Sequence, residues 1–244
     1  MVSTSEMGHA KVIANFFDLV AYLEKLKERY SPPGENLSIP SLNLQVKAAS
    51  AAHTAISVAE NGYRQLVSSR IDIFDTIKEL TPRVKNYLML VNADVTTLNA
   101  AKGLASKITG SSKTKKSDLA AASPEASPKY ISTSQRSFDM VADNFGKLVT
   151  LIEQTPAYAA KEPELQPLAL RQLYTSAFDV NRKVYASEAD LDKTRTLRNE
   201  LLYTNDSSLY QLSKSVKLYV KAAFGSTSAE YDAVCSYEVK KLVR

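Results

Sequence analysis

An alternation of four- and three-residue intervals, sustained over ten steps, limits this chain more than any other feature. It joins Leu42, Val46, Ala49, His53, Ile56, Glu60, Tyr63, Val67, Arg70, Phe74 and Ile77. Strand side chains alternate every two residues, so this stretch does not read as β structure. A seven-residue repeat instead keeps one stripe of a long helix turned toward a partner helix. A matching stripe recurs downstream at Leu170, Tyr174, Ala177, Asn181, Val184, Glu188, Leu191, Arg195, Arg198 and Leu202.

The two stripes belong to a wider self-similarity. Shifting the sequence by 128 residues pairs Ala14 with Ala142, Phe17 with Phe145, Leu23 with Leu151 and Tyr30 with Tyr158. The same shift pairs Leu37 with Leu165, Leu42 with Leu170, Ala49 with Ala177, Glu60 with Glu188 and Arg70 with Arg198. Beyond a four-residue insertion the shift becomes 132, pairing Leu80 with Leu212, Val84 with Val216, Lys85 with Lys217 and Tyr87 with Tyr219. A fixed offset of this length is the mark of a duplicated unit.

Each copy reads as three helices. The first copy has segments near 9–29, 40–80 and 82–108. The first is stopped by Ser31-Pro32-Pro33-Gly34, and the last opens at Thr81-Pro82, which looks like a cap followed by a first-turn proline. The second copy has segments near 134–154, 164–203 and 208–224, then a last helix over 228–242 announced by Gly225 and Thr227-Ser228-Ala229-Glu230. Between the copies, TGSSKTKKSDLAAASPEASPK at 109–129 has linker composition. The expected fold is all-α, an elongated up-and-down helical bundle of two tandem, sequence-similar three-helix units. The expected division is residues 1–108, a linker at 109–129 and residues 130–244, with both units packed into one shared bundle.

Composition narrows the function classes. Hydrophobic residues make up 44% and charged residues 23%, with seven glycines and nine prolines among 244 residues, which suits a globular helical chain. A single cysteine, Cys235, allows neither an internal disulfide nor a CxxC site, and it is expected to pack on the last helix. No signal-peptide pattern and no uninterrupted apolar span is read, so a cytoplasmic location is expected. The two histidines, His9 in Glu6-Met-Gly-His9 and His53 on the seam, do not form a bundle metal motif. No metal, cofactor or catalytic residue is expected: GxxxxGK[ST], GxGxxG and GxSxG are all missing from the sequence. His53 is expected as a hydrogen-bonded core residue.

Two sets of charged residues stand out. Glu60 and Arg70 lie on the first seam, Glu188 and Arg198 on the second. Antiparallel packing of the two long helices about a pseudo-two-fold axis would bring Glu60 to Arg198 and Arg70 to Glu188 as buried structural ion pairs. The second set is basic. Lys214, Lys217 and Lys221 share one helix face, and Lys240 and Lys241 follow near the end, so this region is the candidate polyanion contact. The net charge of +5 permits an anionic partner without requiring one.

The expected function is a non-enzymatic helical-bundle protein acting as a protein-interaction or scaffold module, as a monomer or homodimer, with protein as the partner. The alternatives are a binder of nucleic acid or another polyanion through the basic linker (Lys107, Lys113, Lys115, Lys116 and Lys129) and the C-terminal helices, and a membrane-active bundle. Tyr87 to Ala105 is the only candidate segment for the last of these, and its Asp94 and Lys102 argue against it.

Overall fold

A computed structural model describes residues 8–110 and 137–241. Every regular element among them is helical. α1 spans His9–Lys25, α2 Ile39–Leu90, α3 Val95–Thr109, α4 Phe138–Glu153, α5 Pro167–Asn199, α6 Leu209–Phe224 and α7 Ala229–Ser236. Short 3-10 turns at Glu35–Leu37 and Pro163–Leu165 precede α2 and α5, and a π-helical turn, Glu200–Thr204, follows α5. Most of the segment expected as a linker lies outside the described residues.

Proline does not end α2. The sequence expects a break at Thr81-Pro82, yet the helix runs through Pro82 for 52 residues. An interior proline costs about 3 kcal/mol. Across that point Ile77, Leu80, Val84 and Leu88 are all buried in one cluster, and each such burial contributes about 1.5–3 kcal/mol, so packing outweighs the local cost. The Thr81 hydroxyl bonds back to the Ile77 carbonyl at 2.7 Å rather than capping forward. The break falls instead at Val91–Asp94, where Asn92 takes a positive φ of 52° and Asp94 caps α3 by accepting from the Thr97 N–H at 3.0 Å. Ser208 and Ser228 cap α6 and α7, and Gly225 supplies the positive φ that ends α6. The last helix is shorter than expected, stopping at Ser236.

The described residues fall into two compact units, and they cut across the expected division. One takes residues up to Tyr63 and from Ser187 onward; the other takes Arg64–Ala186. The boundary at 109–129 is displaced because α2 and α5 each contribute one end to each unit. In the first unit α1, the beginning of α2, the end of α5, α6 and α7 share a core that includes Phe16, Leu19, Leu23, Leu42, Leu202, Leu212, Val216 and Val234. In the second unit the end of α2, α3, α4 and the beginning of α5 share a core that includes Phe74, Ile77, Val84, Ile108, Phe145, Leu148, Leu170 and Ala177.

Burial also revises the register of the sequence comparison. Phe17, paired with Phe145 at the 128 shift, is 54% exposed, whereas Phe145 is buried and so is Phe16. The buried positions of α1 and α4 correspond at 129: Val12 with Val141, Phe16 with Phe145, Leu19 with Leu148, Val20 with Val149, and Leu23 with Ile152. The shift returns to 128 by Tyr30 and Tyr158. The first connection therefore holds one residue more between Leu23 and Tyr30 than the second holds between Ile152 and Tyr158, and in it Lys27 adopts a positive φ of 48° in the 3-10 turn Lys27–Arg29.

Candidate functional site

The polar seam does not carry the expected buried pairs. Glu60 accepts from Arg195 Nη2 at 3.0 Å, one turn before the expected Arg198. Arg195 lies on the same seven-residue stripe, so the two helices meet in a register shifted by one seam position. Both side chains are a third or more exposed, so this pair contributes at most about 1 kcal/mol. Arg198 directs Nε and Nη2 to the side-chain oxygen of Asn199, at 3.1 and 2.9 Å.

Arg70 and Glu188 fall in different units, and Glu188 is exposed. Arg70 stacks its guanidinium 4.1 Å from the Phe138 ring centroid, and Phe138 in turn meets Phe74 edge-on at 4.8 Å. Its Nε is buried without a hydrogen-bond partner among the described residues. Arg70 is therefore a stacking residue, held by an aromatic face that the charge pattern alone did not reveal.

His53 is half-buried, and its Nδ1 has no hydrogen-bond partner among the described residues, contrary to the expected bonded core histidine. His9 Nδ1 lies 2.8 Å from the Tyr203 hydroxyl, and burial pushes that phenol up to about 12. Among the described residues no cluster of His, Cys, Asp or Glu could hold a metal ion.

Of the five basic-face lysines only Lys217 is half-buried; Lys214, Lys221 and Lys240 are exposed. Lys217 donates to the Tyr237 carbonyl at 2.8 Å, and burial lowers its pKa against the opposing pull of Cys235 and Glu238. Lys214 lies 4.5 Å from the Tyr210 ring centroid and Lys221 5.7 Å from that of Tyr231. Lys240 pairs with Glu238, and Lys241 is exposed. Tyrosine rings thus meet two of the five lysines, a main-chain carbonyl a third and a carboxylate a fourth. Cys235 is exposed, contrary to its expected packing role, because the face α7 buries is set by Val234.

Sequence reading missed a polar groove in the second unit. It has a volume of about 340 Å³ and runs between α4 and α5, lined by Asp143, Gly146, Lys147, Thr150, Arg171 and Tyr174 among others. Gly146 lets the Tyr174 ring approach the α4 backbone: a Cβ there would stand 2.6 Å from Tyr174 Cε2. Lys147 pairs with Asp143 at 2.6 Å, and Arg171 makes a two-point contact with Glu153, whose carboxyl it holds below the usual range. Both cations are neutralised where they stand, so the groove presents no net charge to a ligand. A glycine inside an otherwise helical pattern was its only sequence signal.

Three apolar side chains around the α2–α3 turn of the same unit are exposed. Met89 is 48% exposed, Leu90 75% and Val95 74%. Among the described residues no helix is long and apolar enough to cross a membrane. No family model, no curated protein and no solved structure matches the chain.

Proposed function

We propose that this chain is a non-enzymatic helical scaffold, a duplicated three-helix protein that holds a partner protein. The observation that carries the reading is the apolar α2–α3 turn. Within seven residues it leaves Leu90 and Val95 largely, and Met89 about half, in water, where full burial of such a side chain would contribute about 1.5–3 kcal/mol. Its rim favours a protein over a bilayer. Asp94 sits in the turn, and the Thr97 hydroxyl and N–H hold its carboxyl below the usual range. Inserting the turn into lipid would carry that charge with it.

The duplication is supported by the matched burial of α1 and α4 and by the two 3-10 turns that enter α2 and α5 at equivalent places. The polyanion alternative draws less support, because Lys214, Lys217 and Lys221 are engaged by tyrosines and a main-chain carbonyl.

The test is comparative capture. Wild-type protein and a Leu90→Glu/Val95→Glu variant are used as bait in parallel, with helical content checked by circular dichroism. The reading expects at least one partner retained by the wild type and lost from an equally folded variant. Identical capture by both baits contradicts it.

A further inference from the structure

The tyrosines show how the two halves of the chain fit together. Tyr30 closes the connection after α1 by donating to the Leu37 carbonyl at 2.9 Å, and Tyr158 closes the connection after α4 by donating to Leu165 at 3.0 Å. Those two bonds are equivalent at a shift of 128. Each of these tyrosines then meets a second tyrosine from the other half of the chain. Tyr30 meets Tyr219 of α6 edge-on at 5.3 Å, and Tyr158 meets Tyr87 of α2 at 4.9 Å. Tyr219 and Tyr87 are themselves equivalent at 132.

The hydroxyls of the second pair also reach equivalent places. Tyr219 accepts from the Ser31 N–H at 3.1 Å, and Tyr87 donates to the Ala159 carbonyl at 2.8 Å. Ser31 and Ala159 correspond at 128. On the first-helix side, Glu24 accepts from Asn43 and Glu153 from Arg171, again at matching positions. The buried hydroxyls Thr81 and Ser213, equivalent at 132, both bond back to their own helix.

We infer that the two halves are interlaced repeats: the first helix of each is completed by the third-helix segment of the other, so each half carries a surface fitted to the other half. The compact units agree with this assignment. α1 shares its core with Val216 and Val220 of α6, and α4 shares its core with Val84 and Leu88 of α2. A half chain therefore leaves two incomplete cores, and its partner is the second repeat. The inference rests on the duplication reading and goes beyond it, because two tandem repeats could each have closed on themselves.

The test uses the full chain with a protease recognition sequence inserted between residues 120 and 121. The folded protein is cleaved, then examined by size exclusion with light scattering and by circular dichroism. Interlacing predicts that both fragments co-elute as one particle near the intact mass of 26.8 kDa, with helical signal unchanged. After denaturation it predicts that the mixed fragments regain that particle at one-to-one ratio, while either fragment alone regains less than half of its helical signal. Two separately eluting, fully helical fragments would overturn the inference. They would leave the duplication standing, since independent tandem bundles preserve the matched burial. The duplication itself fails on a different result: Phe16→Ala and Phe17→Ala with equal effects on stability, which would remove the register on which α1 and α4 correspond.

Discussion

Three helical glycines give a graded test of packing. Gly62 in α2 and Gly103 in α3 have open space where a Cβ would stand. Replacing either with alanine removes the backbone-entropy cost of an interior helical glycine and should stabilise by about 1 kcal/mol. For a chain of this size that corresponds to a rise of about 2–4 °C in Tm. Gly146 in α4 gains the same propensity, but its new Cβ would lie 2.6 Å from Tyr174 Cε2 and 3.0 Å from Cζ. Ordinary carbon contacts lie at about 3.5–4.0 Å, so the ring must move. Overpacking of this kind costs about 1–3 kcal/mol, which leaves Gly146→Ala between neutral and about 2 kcal/mol destabilising. In a Tyr174→Ala background the obstruction is gone and the gain of about 1 kcal/mol returns. The assay is guanidinium unfolding followed by circular dichroism, since the chain has no tryptophan to report by fluorescence. A Gly146→Ala variant as stabilised as Gly62→Ala would refute the close approach of Tyr174 to α4.

Phe16→Ala and Phe145→Ala should each destabilise by about 3–5 kcal/mol in the same assay, whereas exposed Phe17→Ala should change stability by less than about 1 kcal/mol. Alkaline pH should unfold the protein through its buried phenols. Burial pushes Tyr158 and Tyr203 from 10.0 up to about 12 and raises Tyr30 as well. The folded state therefore holds these protons more tightly, so their contribution is complete below pH 10 and is lost as pH rises toward 12. A tyrosinate titration by near-ultraviolet absorbance should show late-ionising phenols appearing together with loss of helical signal. Binding to fluorescent RNA and DNA across a salt series should stay weak at physiological salt, and Lys214→Glu/Lys221→Glu should change it little. Micromolar affinity that those substitutions abolish would restore the polyanion reading.

The helical class was legible because periodicity reports directly on which side chains a helix turns inward. The register of α1 was not. Phe16 and Phe17 are adjacent and identical, so a one-residue slip leaves an identical pair in place, and only burial separates them. The break expected at Thr81-Pro82 was misplaced because Pro82 is locally the stronger signal, while the cluster that overrides it forms only in the tertiary fold. Glu60 and Arg70 lie on α2 and Glu188 and Arg198 on α5, but which charges meet depends on axial register. Arg195 and Arg198 sit on the same stripe, and only one of them faces Glu60. The groove beside Gly146 depends on an aromatic ring brought from α5, which no local pattern encodes.

Native-state hydrogen exchange in rising denaturant tests the interlaced architecture most directly. Contiguous cooperative units lose protection together, so exchange reports which segments stabilise one another. Interlacing predicts that α1, the beginning of α2, the end of α5 and α6 open as one group. It predicts that the end of α2, α3, α4 and the beginning of α5 open as another. Loss of protection that instead groups α1 with all of α2 and α3, and α4 with all of α5 and α6, would contradict it.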